Sequence, residues 1–210
     1  MPATLHLSRS EPSSAHLLLR RVALCVAVLL CSSAPPPAQA QRPDPAAVIA
    51  AQRDAMKALS FMDGHWRGPA WTLLPGGGRH ELLQTERVGP LHSGTIKLIE
   101  GRGYEADGRT GFNAFAVLSY DPRQQRYTMQ SHAQGQSGSF TMTPTTNGFV
   151  WTIPTGGETS IRYTADIRDG EWFEVGERLV PGQPPLRVFE MRLRRLGDSA
   201  WPEAGAVPPR

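Results

Sequence analysis

The feature that most constrains this chain is its punctuation. From Gly68 to Leu196, short β-branched or alternating runs are separated by "LPGGGR", "GPLHSG", "EADGRTG", "YDPRQQR", "GQSG", "PTTNG", "PTGGE", "IRDGE" and "VPGQPP". These separators supply residues that accept turn dihedrals, and Asn147-Gly148 and Asp169-Gly170 are the strongest hairpin signals among them. The spacing predicts ten strands, at about residues 67–74, 79–88, 94–104, 111–120, 125–134, 138–143, 148–153, 158–167, 172–180 and 186–196. Separators this short leave no room for crossover helices, so consecutive strands pair antiparallel. The expected fold class is all-β, a roughly ten-stranded up-and-down barrel, because closure removes the exposed edges of an open sheet. A flattened sandwich shares the same connectivity.

Ahead of the strands the hydrophobic period is helical. Asp44 suits an N-cap, Pro45 suits the first turn, and Ile49, Gln52, Met56 and Leu59 fall on one stripe, which predicts a helix over about 45–61 that closes one end of the barrel. Before it, "LLLRRVALCVAVLLCSSAPPPAQAQ" combines arginines, a short apolar run and small residues at Ala38 and Ala40. This is a signal-peptide pattern, with cleavage expected after Ala40 and a periplasmic or secreted destination. The run Val22 to Leu30 is shorter than the ~20 residues a membrane span needs. Cys25 and Cys31 each follow a leucine, where a lipoprotein signal would place a small residue. The expected organisation is thus a signal peptide over 1–40, a leader and helix over 41–62, the barrel over 63–197 and a flexible tail over 198–210.

Removing that segment takes both cysteines and leaves 170 residues with 19 Lys+Arg against 18 Asp+Glu. Disulfides and thiolate chemistry drop out together, and near-neutral charge with only Arg192, Arg194 and Arg195 dense gives no nucleic-acid footprint. Four histidines, His65, His80, His92 and His132, show neither HxH nor HExxH spacing, so neither a metal nor another cofactor is expected. Gly76 to Gly78 runs into Arg79-His80 rather than a phosphate-loop lysine. "GQSGS", Gly135 to Ser139, joins two strands and lacks the helix of a nucleophile elbow.

The unit Gly64-His65-Trp66-Arg67-Gly68 falls where helix gives way to strand. Its tryptophan is expected to plug the closed end, with Arg194 or Arg195 laid over the indole and the glycines allowing close approach. Ionisable residues in mid-strand are the more suggestive feature, since inside a barrel they mark a polar cavity whose charges need partners. The polar residues expected to line such a cavity are Glu86, Glu100, Tyr127, His132, Arg162, Glu174, Glu190 and Arg192. Strand alternation puts Glu174 and Arg178 on one face, Glu190 and Arg192 together on one face, and forbids all eight from facing inward equally.

With Gly64-x-Trp66-x-Gly68, "ELLQTERVGPLHSGTIKLIEGRG", "VLSYDPRQQRYTMQS", "SIRYTADIRDGEWFEVGERL" and "VFEMRLRRL" in place, the chain from about Leu59 to Leu196 resembles a bacterial calycin-related family, domain of unknown function 1579. The most specific pieces are Tyr120-Asp121-Pro122 before Tyr127, and Trp172-x-Glu174 before Phe189-Glu190-Met191. The resemblance implies an up-and-down barrel with an internal cavity and no established reaction. Similarity of that fold to lipocalins, fatty-acid-binding proteins and nitrobindins suggests small-molecule binding by analogy. A nitrobindin-like haem site would present a histidine near the C-terminus, and "PLRVFEMRLRRL" contains none. The expected function is an exported, non-enzymatic barrel binding a small amphipathic or apolar molecule, without catalytic residues. Its rivals are a structural or interaction module of the envelope and a hydrolase or isomerase using cavity carboxylates.

Overall fold

The computed structural model describes residues 44–199 and Trp201. The signal-peptide pattern over 1–40, Cys25, Cys31, residues 41–43 and the tail over 202–210 lie outside the described residues. Helix α1 (Pro45–Ala58) begins as expected, with the Asp44 carboxylate accepting from the Ala46 amide at 3.0 Å and Pro45 in the first turn. It ends three residues sooner than predicted, and a 3₁₀ turn (Ser60–Met62) continues to the barrel. Met56, Leu59 and Met62 are buried, whereas Ile49 is 41% exposed. Burial of α1 is confined to its later turns, so Ile49, although on the stripe, has no wall to cover.

Ten strands follow: β1 (Gly64–Leu73), β2 (Arg79–Leu91), β3 (Ile96–Tyr104), β4 (Thr110–Asp121), β5 (Arg126–Ala133), β6 (Gln136–Pro144), β7 (Gly148–Gly156), β8 (Thr159–Arg168), β9 (Glu171–Leu179) and β10 (Leu186–Gly197). Each pairs antiparallel with its successor and β1 pairs with β10, so the sheet is a closed barrel rather than an open sandwich. Closure removes both edges. The Gly-x-Trp-x-Gly unit lies within β1, not ahead of it as the expected start at residue 67 implied.

Two glycines show why the strands lie where they do. A Cβ on Gly68 would stand 2.1 Å from the Arg192 carbonyl oxygen, so only glycine lets β1 and β10 meet there. Asp169-Gly170 turns as its sequence predicts, with φ of 54° and 72°. Asn147-Gly148 also marks a hairpin, between β6 and β7, but neither residue has positive φ, and Gly148 begins β7, where a Cβ would meet the Ala165 carbonyl oxygen at 1.9 Å. The glycine serves close strand approach rather than turn geometry.

Along each strand alternate residues face inward. At the end covered by α1 the inward set is Trp66, Val88, Leu118, Met129, Met142, Phe149, Ile167, Trp172 and Leu193, all buried in one cluster with Met56, Leu59 and Met62. The tail expected to be flexible from residue 198 is held at two points: the Ser199 hydroxyl donates to the Val88 carbonyl, and the Trp201 ring lies edge-on to Phe115 and beneath the Arg87 guanidinium.

Candidate functional site

The helix-covered end is pinned by polar contacts as well as packing. The Trp66 indole N–H donates to the Met62 carbonyl at 2.9 Å, and its ring meets Trp172 edge-on, with centroids 5.7 Å apart. Arg195 is not laid over that indole, as the sequence suggested. It donates through Nε and Nη2 to the Asp63 carbonyl at 3.1 and 3.0 Å, while Arg194 reaches Glu171 at 3.2 Å. Trp66 is only 2% exposed, and a guanidinium placed beside it would lose its water without a compensating acceptor. Lys97, almost wholly buried, donates to Asp63 at the same junction. Burial pushes Asp63 up and Lys97 down, and each charge partly offsets the other's shift.

The barrel interior beyond this plug is different. Glu86 on β2 and Glu174 on β9 face inward, 9% and 5% exposed. The Gln84 side-chain amide donates to Glu86 Oε1 at 2.7 Å. Trp151 and Trp172 donate their indole N–H groups to Glu174 Oε1 and Oε2 at 3.3 and 3.0 Å. Burial pushes Glu86 up to about 8, with the charges of Glu174 and Glu100 adding to it, and pushes Glu174 up to about 7 against its two indole hydrogen bonds. No ion pair to either carboxyl occurs among the described residues. Both environments favour the protonated form, so the pair does not divide into an ionised base and a retained acid, the arrangement acid–base hydrolysis needs.

Around these carboxyls runs an aromatic wall. Phe140 on β6 meets Trp151 on β7 with centroids 5.5 Å apart, Trp151 stacks on Tyr163 of β8 at 4.4 Å and 12°, and Tyr163 meets Phe189 of β10 at 5.7 Å. The last contact spans β9 because its intervening residue is Gly176, where a Cβ would stand 2.9 Å from both Phe189 Cβ and Tyr163 Cε1. These four rings are half-buried rather than buried, as are Leu82 and Phe112 on the opposite wall. The register between β6 and β7 covers only Met142↔Trp151, Thr143↔Val150 and Pro144↔Phe149. Beyond Met142 and Trp151, towards the end away from α1, the ladder between these two strands ends.

The predicted lining divides sharply. Glu86, Glu174 and Tyr127 face inward, but Tyr127 belongs to the helix-covered end, where its hydroxyl donates to the Ala55 carbonyl at 3.2 Å. Glu100, His132, Arg162, Glu190 and Arg192 are corrections: all five lie on outward positions of their strands. Four of them are engaged in surface pairs, Glu100 with Arg102, Arg162 with Glu177 at 2.9 Å, Glu190 with Arg187 at 2.8 Å and Arg192 with Glu171, and His132 is exposed. Such pairs cost nothing to solvate and need no ligand to explain them. Gln84, Trp151, Trp172, Tyr163, Phe140 and Phe189 are the interior residues that the polar census passed over. A groove of about 420 Å³ on the outer wall, flanked by Arg67, Arg87 and Arg102, is open to solvent, and its Arg102 is already paired with Glu100. No cluster of three or more metal-ligating side chains occurs among the described residues.

With this geometry in view, comparison with solved structures is informative for architecture. The crystal structure of Rv2717c from M. tuberculosis is similar to this chain with a TM-score of 0.51 and 17% identity, over 67% of this chain and 96% of that one. The fold is a closed ten-stranded antiparallel barrel. At that identity the likeness speaks for the fold alone. No family model and no curated protein matches the chain. No described helix is long and apolar enough to cross a membrane.

Proposed function

We propose that this chain is an exported, non-enzymatic barrel protein that holds a small amphipathic or apolar molecule at the end of the barrel away from α1. The observation that carries this reading is the change of burial along the inward-facing positions. At the helix-covered end they are closed off in one cluster, whereas Phe140, Trp151, Tyr163 and Phe189 stay half-exposed around two buried carboxyls. Half-exposed aromatic side chains around a few buried polar groups are the composition of a small-molecule site. Export rests on the signal-peptide pattern over 1–40.

Native mass spectrometry of protein prepared gently from the periplasm, with a denatured spectrum of the same sample, tests both parts. A stoichiometric adduct of reproducible mass on a chain beginning at Gln41 is the expected result. A bare chain under every gentle condition would instead favour a structural module of the envelope, and a chain retaining residues 1–40 would remove the export claim.

A further inference from the structure

Resting on the binding reading above, we infer that the molecule held by the barrel is a small organic cation, an amine with an apolar or aromatic body, whose ammonium group is received by Glu86 and Glu174. Two carboxyls sit more than nine-tenths out of solvent, and every donor they have is neutral: one amide and two indoles. Three of the four oxygens have a donor, and Glu86 Oε2 has none among the described residues. Gly101 lies against that carboxyl: a Cβ there would stand 2.7 Å from Oε1 and 3.0 Å from Oε2, so the Glu86 head group occupies the space that a side chain at 101 would fill. A barrel that needed only an apolar interior would be more stable with leucine at both positions.

The charged groups around the pair leave the role of counter-ion open. Facing Glu174 are Tyr163, which burial pushes up to about 12, and Glu86; beyond Glu86 on the outer wall is Glu100, engaged by Arg102. Lys97 is taken by Asp63 at the helix-covered end. At the rim, His80 is bound to Glu105 at 3.1 Å, and Arg178, on an inward position, is exposed. Among the described residues, an anionic ligand would meet Arg178 at the rim and then two buried carboxyls. A cation with an apolar body meets the reverse order of preferences: the half-buried rings of Phe140, Trp151, Tyr163 and Phe189 suit the body, and the carboxyls complete the site for the charge.

The protons balance as follows. The ammonium enters with its charge, one carboxyl releases its proton to solvent, and the bound state is an ammonium–carboxylate pair. Binding therefore weakens as pH falls below the carboxyl's own titration, because the cation must then displace a proton. Above that titration no proton is released.

Isothermal titration calorimetry of the full mature chain with tryptamine and with its uncharged isostere tryptophol, each in two buffers of different ionisation enthalpy, reads all of this. The inference expects tryptamine to bind at least about tenfold more tightly than tryptophol near pH 7, with proton release, and to lose roughly tenfold per pH unit below the titration. Glu86→Gln keeps shape and the hydrogen bond from Gln84, Glu174→Gln keeps shape and an acceptor for one of the two indoles, and each should reduce the preference for the amine and the proton release. Equal binding of both probes without proton release would overturn the cation inference and leave the binding barrel standing. Failure of both probes to bind folded protein would count against the barrel reading itself, and the inference would fall with it.

Discussion

The two ends of this barrel are made from the same strands and do opposite things with them. At the helix-covered end, large apolar side chains fill the bore, and the few polar groups there are paired: Lys97 with Asp63, Arg195 with the Asp63 carbonyl, the Trp66 indole with Met62. At the other end the inward aromatic rings are only half-buried, and the carboxyls between the two ends have only neutral donors. Apolar burial is concentrated where the plug is, and the opposite half carries groups that a purely structural interior would exclude. In a closed sheet this division is available because ladder hydrogen bonds hold the wall, whatever the side chains inside it do.

The largest effect expected from breaking this contrast is at the plug. Trp66→Ala should lower the unfolding free energy by about 3–5 kcal/mol, while Phe140→Ala at the open end should cost roughly half of that or less. Urea denaturation of both variants checks the difference, and equal losses would abolish the division between the ends.

Next comes the pH response of the interior carboxyls. Their folded values, about 8 for Glu86 and about 7 for Glu174, lie above the ordinary 4.5, so the native state binds more protons than the unfolded chain in that window. Their contribution is fully present below about 4.5 and is lost as pH rises through 7 and 8. The urea midpoint of the wild type should fall with rising pH across this range, and the double variant Glu86→Gln/Glu174→Gln should be flatter. A wild-type midpoint that holds steady or climbs would contradict the burial of these groups as acids.

A smaller effect sharpens the picture of the aromatic wall. Gly176→Ala places a methyl against Phe189 and Tyr163 and should cost about 1–3 kcal/mol by overpacking. It should also disturb near-ultraviolet circular dichroism from the stacked rings, while the far-ultraviolet spectrum of the sheet is retained. Smallest of all, His132→Ala on the exposed outer face should change stability by no more than about 0.5 kcal/mol and leave ligand binding unaltered. A measurable loss of binding in that variant would return the outer wall to consideration.

Much of the architecture was legible because turns are local. Asp169-Gly170, the Asp44-Pro45 cap and the apolar alternation all act over a few residues, and the strands they bound are the ones observed. Asn147-Gly148 marks its hairpin too, but the role of its glycine, a close approach to the Ala165 carbonyl on the neighbouring strand, is not local and could not be read from the dipeptide. The site was harder for the same reason. Mid-strand charge marks Glu86 and Glu190 equally, and only the barrel's sense, the knowledge that Trp172 and Met191 face inward, separates them. Parity with Trp172 could have brought Glu174 in and parity with Met191 sent Glu190 and Arg192 out. The link between Glu86 and Glu174, carried on strands β2 and β9, depends on closure and has no trace in either segment alone.

That closing pair also bears on how the chain reaches its native state. β1 finds its second neighbour only in β10, more than a hundred residues later, so Trp66 meets Trp172 and Leu193 only when nearly the whole barrel sequence is present. Contacts of such long sequence separation are slow to form, because their loop-closure entropy precedes any reward. Until β10 arrives, a growing sheet has two open edges capable of pairing with other chains. The last strand thus decides whether a finished chain becomes a solitary barrel or an aggregation nucleus, which makes folding an all-or-nothing event at its C-terminal side.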